Sequence, residues 1–178
     1  MLALIVPNRR SPLPYRTLRV ALLLLAFVSL LSGCEENRGV KIGEKAPSIS
    51  GNDVQGNYIS LPQMKGKTVV IYFWTDSCCG DNLKQLEPFF SRNRDRGLEI
   101  VAVNEMDPKE KILSLVSKNG LSFTMLSDEH SMLFKQYNVL GFPTILILDR
   151  DGVIREKVLG EMPTAKLEKL IERHLDTR

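Results

Sequence analysis

Apolar residues along this chain fall into three patterns: unbroken runs, helical stripes and short alternating stretches. Val69, Val70, Ile71, Tyr72, Phe73 and Trp74 form an unbroken β-branched and aromatic run, which is the pattern of a strand covered on both faces. Residues 75–80 interrupt it. Beyond them Leu83, Leu86, Phe89 and Phe90 recur at helical spacing, predicting a helix that begins near 79–82 with its apolar stripe on the sheet. Residues 68–90 are thus a buried strand, a tight turn and a helix.

The remaining pattern is arranged around this unit. Short strands at 48–50 and 57–61 flank the turn-rich Gly51-Asn52-Asp53-Val54-Gln55-Gly56, which predicts a hairpin. Residues 62–67 connect it to the central strand. The charged run 92–97 ends in a glycine, a helix stop whose charges form a solvated face. Residues 98–104 read as the next strand. Asp107, Pro108 and Glu110 supply an N-cap, a first-turn proline and a third-position acid for a helix ending at Asn119-Gly120. A short strand at 123–126 and a short helix at 131–137 follow. Strands at 144–148 and 153–159 surround Asp149-Arg150-Asp151-Gly152 as a second hairpin. Residues 163–175 close the chain as an amphipathic helix with Leu167, Leu170, Ile171 and Leu175 on one side. The fold class is therefore α/β, with a central mixed β-sheet, helices on both faces and an N-terminal β-hairpin.

The front of the chain departs from this pattern. Arg9, Arg10, Arg16 and Arg19 precede the apolar run 20–31, and Leu31-Ser32-Gly33-Cys34 follows at once. Basic residues, an apolar core and a small-residue cleavage site make an export signal, and the run is shorter than the roughly 20 residues of a permanent span. The tetrapeptide resembles the lipobox of bacterial lipoproteins, which implies a lipid on the Cys34 sulfur and cleavage just before it. The alternatives are a plain secretory leader or an uncleaved anchor helix, with Cys34 incidental. The expected organisation is a signal peptide at 1–33, a polar tether at 34–45 and a folded domain at 46–178. This places the protein in a bacterial cell envelope, lipid-anchored on the periplasmic or outer face of a membrane.

Cleavage also changes the charge. The full chain has 24 basic and 21 acidic residues, and loss of the four leader arginines leaves 20 basic against 21 acidic. A nearly neutral domain lacks the basic face that nucleic-acid binding requires. With Cys34 lipidated, the exported domain holds only Cys78 and Cys79. At a helix start, free amide groups and the positive dipole end favour a thiolate. Adjacent Cα atoms lie about 3.8 Å apart, below the usual ~4.4–6.8 Å of a disulfide. The pair is a poor structural staple, so it reads as reactive or metal-binding.

Several motifs together resemble the thioredoxin-fold family and, within it, the exported, membrane-tethered branch named after TlpA and ResA. They are Gly43-Glu44-Lys45-Ala46-Pro47, the strand end Phe73-Trp74, a cysteine at a helix start, Gly141-Phe142-Pro143-Thr144 and Leu148-Asp149-Arg150-Asp151-Gly152, and the likeness covers 39–175. It implies a thioredoxin-like fold and thiol-disulfide exchange, in which one thiolate attacks a partner disulfide and a second cysteine resolves the mixed disulfide. Catalysis then falls on Cys78 and Cys79, and substrate binding on Trp74, Phe142 and a cis Pro143 facing the cysteine turn. The implied partners are a protein thiol or disulfide and an electron donor. The protein is expected to be a monomer that uses no metal or other cofactor.

The motif departs from Cys-x-x-Cys. Counting from Trp74 makes Cys78 the attacker and puts Asp81 at the resolving position, whereas counting back from Leu83-Lys84-Gln85-Leu86 gives Cys79 and Asn82. A one-residue slip in a buried strand would turn every side chain to the wrong face, while a turn absorbs an extra residue. This favours Cys78 as nucleophile and Cys79 as its resolving partner. Tyr72 stands where thioredoxin has a buried aspartate, and Asp81 opposes a nearby thiolate unless Lys84 offsets it.

Two other functions fit parts of the pattern. Thr75-x-x-Cys78 matches half of a peroxiredoxin-like motif, with Ile71 in place of that motif's proline. A lipoprotein without turnover could instead hold a soft metal such as Cu(I) on two thiolates, or dock a partner. His130 and His174 read as surface or capping residues rather than ligands.

Overall fold

The computed structural model describes residues 39–175, so the leader, Cys34 and the first part of the tether lie outside the described residues. Two short strands, β1 (Ser50–Asn52) and β2 (Tyr58–Ser60), form the N-terminal antiparallel hairpin, with Gly51 opposite Ile59. After a 3-10 turn at Leu61–Met64 comes β3 (Thr68–Trp74), whose seven residues are all buried. Helix α1 (Asp76–Lys84) follows, then α2 (Glu87–Asn93), β4 (Leu98–Asn104) and α3 (Lys109–Asn119). The chain continues through β5 (Thr124–Ser127), α4 (Met132–Gln136), β6 (Thr144–Leu148), β7 (Ile154–Leu159) and α5 (Thr164–Leu175).

The main sheet has the order β5-β4-β3-β6-β7. Its first three strands are parallel, and β6 and β7 run antiparallel to their neighbours. Alternation along β3 divides the core. Val70, Tyr72 and Trp74 meet Leu83, Leu86 and Phe89 with the inner faces of α3 and α5, while Val69, Ile71 and Phe73 meet Tyr137, Val139 and Ile49 on the other face. Burying each such side chain contributes roughly 1.5–3 kcal/mol, so a register slip of β3 would forfeit both layers.

Two expectations need correction. The cysteine helix begins at Asp76, not at 79–82, because Thr75 is still extended (φ −132°, ψ 154°) and the helix opens directly from it. Its first turn, Asp76 to Cys79, has no apolar stripe to announce it. The helix also divides at Gln85–Leu86, and Pro88 in the first turn of α2 accounts for the break, since it cannot donate the next backbone hydrogen bond.

The second correction concerns the tether. Residues 40–46 lie against the β6–β7 end of the sheet: Gly43 N–H donates to the Ile154 carbonyl (2.8 Å), Ile154 N–H to Glu44 (2.9 Å) and Ala46 N–H to Gly152 (2.9 Å). Val40 is buried in the core. The compact unit accordingly takes in the described residues from Gly39 onward. Backbone pairing asks nothing of side-chain polarity, so a polar sequence concealed it.

Candidate active site

The ends of five strands converge at one edge of the sheet. Trp74 pairs with Asn104 and Asn104 with Ser127, while Phe73 pairs with Thr144 and Thr144 with Leu159. Helix α1 starts at this edge. Cys79 N–H donates to the Thr75 carbonyl at 3.1 Å, the first bond of the helix. The amides ahead of it have no intrahelical acceptor.

Helical rotation separates the two cysteines. Cys79 is 1% exposed and joins Leu83 and Trp74 in the core, whereas Cys78 is turned to solvent. The two sulfurs are bonded as a Cys78–Cys79 disulfide. One end of the pair is therefore accessible and the other is shielded.

The helix is anchored from another element. Thr75 makes no side-chain cap, its Oγ1 lying 3.2 Å from Ser77 Oγ instead. Asp76 N–H donates to Asp107 Oδ2 at 2.7 Å, and Asn104 Nδ2 donates to the same oxygen at 2.8 Å. Asn104 Oδ1 accepts the Asp107 N–H in return, at 2.9 Å. Lys111 Nζ lies 2.7 Å from Asp107 Oδ1 and 3.1 Å from Asp76 Oδ2. Burial pushes the Asp107 carboxyl up, but hydrogen bonds from Lys111, the Asp76 amide and Asn104, with the Lys111 charge, outweigh it and hold the group below the usual carboxylate range. Hydrogen bonds to Asp107 and Asp76 raise Lys111 in turn.

Asp107 was expected to cap α3, and it does not. Pro108 occupies that N-cap without a side-chain hydrogen bond, and the Asp107 carboxylate caps α1. Lys84 Nζ sits 2.9 Å from Asp81 Oδ1 as expected, and its hydrogen bond and charge lower the Asp81 carboxyl. Asp81 is almost fully exposed, so this pair contributes little to stability.

The Phe142-Pro143 peptide is cis, as the family resemblance implied. Pro143 is buried and half-buried Phe142 packs its ring 5.6 Å from that of Phe134. Since Phe73 pairs with Thr144, Pro143 lies at the same sheet end as Trp74 and the cysteine turn.

Residues 42–157 match the family model described as the AhpC/TSA family. The chain belongs to the AhpC/TSA family. Within it, the protein is a redoxin of the TlpA/ResA type. It is 27% identical over 136 residues to the thiol-disulfide oxidoreductase ResA of Bacillus cereus, covering 75% of this chain and 79% of that protein. It is also 27% identical over 162 residues to the ResA of Geobacillus kaustophilus, covering 90% and 91%. The solved thioredoxin domain of a thiol-disulfide oxidoreductase from Bacteroides vulgatus superposes with a TM-score of 0.67 at 26% identity, over 78% of this chain and all of that one.

In this redoxin Trp74 is fully buried and its Nε1 has no hydrogen-bond partner among the described residues. It forms the floor beneath the cysteine turn rather than a contact surface. Tyr72 is also buried, and burial together with the Glu161 charge pushes its hydroxyl up to about 12. It stays a neutral phenol near neutral pH and cannot stand in for a buried carboxylate. His130 is exposed and His174 lies 3.2 Å from Glu156 on the terminal helix. Among the described residues no group of three or more His, Cys, Asp or Glu is gathered for a metal.

Sequence reading missed two features of the redoxin site. One is the bracket of Asn104, Asp107 and Lys111, whose signal was an acid just beyond a strand end. The other is an apolar rim. Met106, Met132, Leu140 and Leu159 are 59–76% exposed, and each lies on a segment at the sheet edge where α1 begins.

Proposed function

We propose that this redoxin is a membrane-tethered, extracytoplasmic thiol-disulfide oxidoreductase acting on protein disulfides, with Cys78 as nucleophile and Cys79 as resolving cysteine. The observation that carries this reading is the unequal burial of two sulfurs that reach bonding distance of each other. The names of the ResA relatives support the reaction class. In the reducing direction the Cys78 thiolate attacks one sulfur of the substrate disulfide, breaking that bond and releasing a substrate thiolate, which takes up a proton. Cys79 then loses its proton and attacks Cys78 Sγ. The Cys78–Cys79 disulfide forms, the second substrate sulfur leaves as a thiolate, and two electrons have passed to the substrate. An external dithiol restores the reduced pair by the same steps in reverse. Phe142, Pro143 and the apolar rim hold the substrate chain over Cys78, Trp74 supports the turn from below, and lipidated Cys34 holds the domain at the membrane.

Cysteine substitution tests the assignment. Cys79→Ser should accumulate mixed disulfides with a protein substrate, and Cys78→Ser should form none. Full exchange activity in both single variants, or no disulfide reductase activity in the wild type with any dithiol donor, would refute it. The native protein should also carry an acylated Cys34 by mass spectrometry, and an unmodified sulfur there would remove the anchor.

A further inference from the structure

Helix α1 has a positive N-terminal end, and Cys78 is in its first turn. A thiolate there gains from the free amides and the dipole. The structure already places another anion at that end. Asp107, 31 positions from Asp76 in sequence, accepts the Asp76 N–H at 2.7 Å. We propose that Asp107 is a positioning residue that tunes Cys78, holding the first turn in place while its carboxylate competes with the thiolate for the positive end of the helix.

Three observations carry this inference, which rests on Cys78 as the nucleophile. First, the carboxylate is held by construction. Asn104 is fully buried at the end of β4, beside Trp74, and its side-chain amide both donates to the Asp107 carboxylate through Nδ2 and accepts the Asp107 N–H through Oδ1. Second, the local charge does not cancel. Lys111 is shared between Asp76 and Asp107, and Lys84 is taken by Asp81, so two carboxylates at the helix start face one ammonium. The other charged or titratable groups on the surrounding segments are Glu105, Lys109 and Glu110 beyond β4, Asp128, Glu129 and His130 beyond β5, with the Asp128 amide donating to the Asn104 carbonyl at 2.7 Å, and Glu161 ahead of α5. Third, Gly80 leaves room for the bracket, since a Cβ at that position would stand 2.5 Å from Asp76 Oδ1. A glycine inside a helix is otherwise unfavourable by about 1 kcal/mol relative to alanine.

The effect has a sign that a purely structural clamp would not reproduce. Asp107→Asn keeps an acceptor for the Asp76 amide and removes the negative charge, so it favours the thiolate. Lys111→Met removes the positive charge and disfavours it. The readout is the pH dependence of Cys78 alkylation by iodoacetamide, measured on the full-length reduced protein in the Cys79→Ser background and located by peptide mass spectrometry. Asp107→Asn should lower the midpoint by about half a unit to one unit, and Lys111→Met should raise it by a similar amount, the scale of a charge at a helix terminus. An unchanged midpoint, or shifts of the same sign in both variants, would overturn the proposal. If Asp107→Asn fails to fold, Lys111→Met decides alone: a raised midpoint supports the proposal, and an unchanged or lowered one ends it. A Cys79→Ser protein that traps no mixed disulfide would sink the functional assignment without moving either midpoint.

Discussion

Cys78 and Cys79 have identical side chains, and about 100° of helix rotation gives them different environments. One faces solvent and the other lies with Trp74 and Leu83 in the core. The exposed Cys78 was the sequence expectation, from the buried register of β3, but the burial of Cys79 was not, because the helix was expected to begin at 79–82 rather than at Asp76. The destination of Asp107 was not legible either. An acid followed by proline after a strand is an ordinary N-cap signature, and nothing local says that its oxygens reach a helix 31 positions away in sequence. A comparable long-range bond joins Tyr137, 1% exposed, to the Pro47 carbonyl through its hydroxyl. Tyr137→Phe leaves that carbonyl without its donor and should cost about 1 kcal/mol. A urea denaturation midpoint unchanged from wild type would show that the bond contributes nothing.

At the scale of elements, buried runs announced themselves and polar starts did not. β4 and β6 occupy the expected spans because each is apolar with sharp polar ends. The first turn of α1 carries no such contrast, and the break before α2 is set by one proline. The β6–β7 turn is organised by a carboxylate instead. Asp149 accepts the Asp151 and Val153 amides, both at 2.9 Å, and Arg155 Nε at 2.7 Å. Burial pushes its carboxyl up, but these hydrogen bonds and the Arg155 charge prevail and lower it. A carboxyl whose folded-state value lies below its unfolded value of about 3.9 contributes stability above that pH and loses it as pH falls through the folded value. Asp149→Asn should therefore be less stable than wild type near neutrality, and the difference should shrink below about pH 4. Parallel stability curves for the two proteins from pH 7 to 2 would contradict this.

For the molecule as a whole, the α/β architecture and the succession of strands and helices along the chain followed from apolar periodicity, while the order of strands in the sheet and the N-terminal limit of the domain did not. Residues 40–46 hold on by backbone pairing and by Val40. A protein beginning at Asn37 should unfold in one cooperative transition, and one beginning at Ala46 should melt lower by on the order of 5 °C or more, given the loss of a buried valine and its neighbouring hydrogen bonds. Equal melting temperatures would mean that this segment adds nothing. The cysteine pair has the opposite relation to stability. A disulfide restricts the unfolded chain by an amount that grows slowly with the loop it closes, and Cys78 and Cys79 are one residue apart. Their bond encloses almost no chain, so opening it returns almost no conformational freedom to the unfolded state. In the exchange proposed for this pair, the chain entropy of unfolding is nearly the same before and after each step, so electrons pass without the scaffold being loosened and retightened at every turnover.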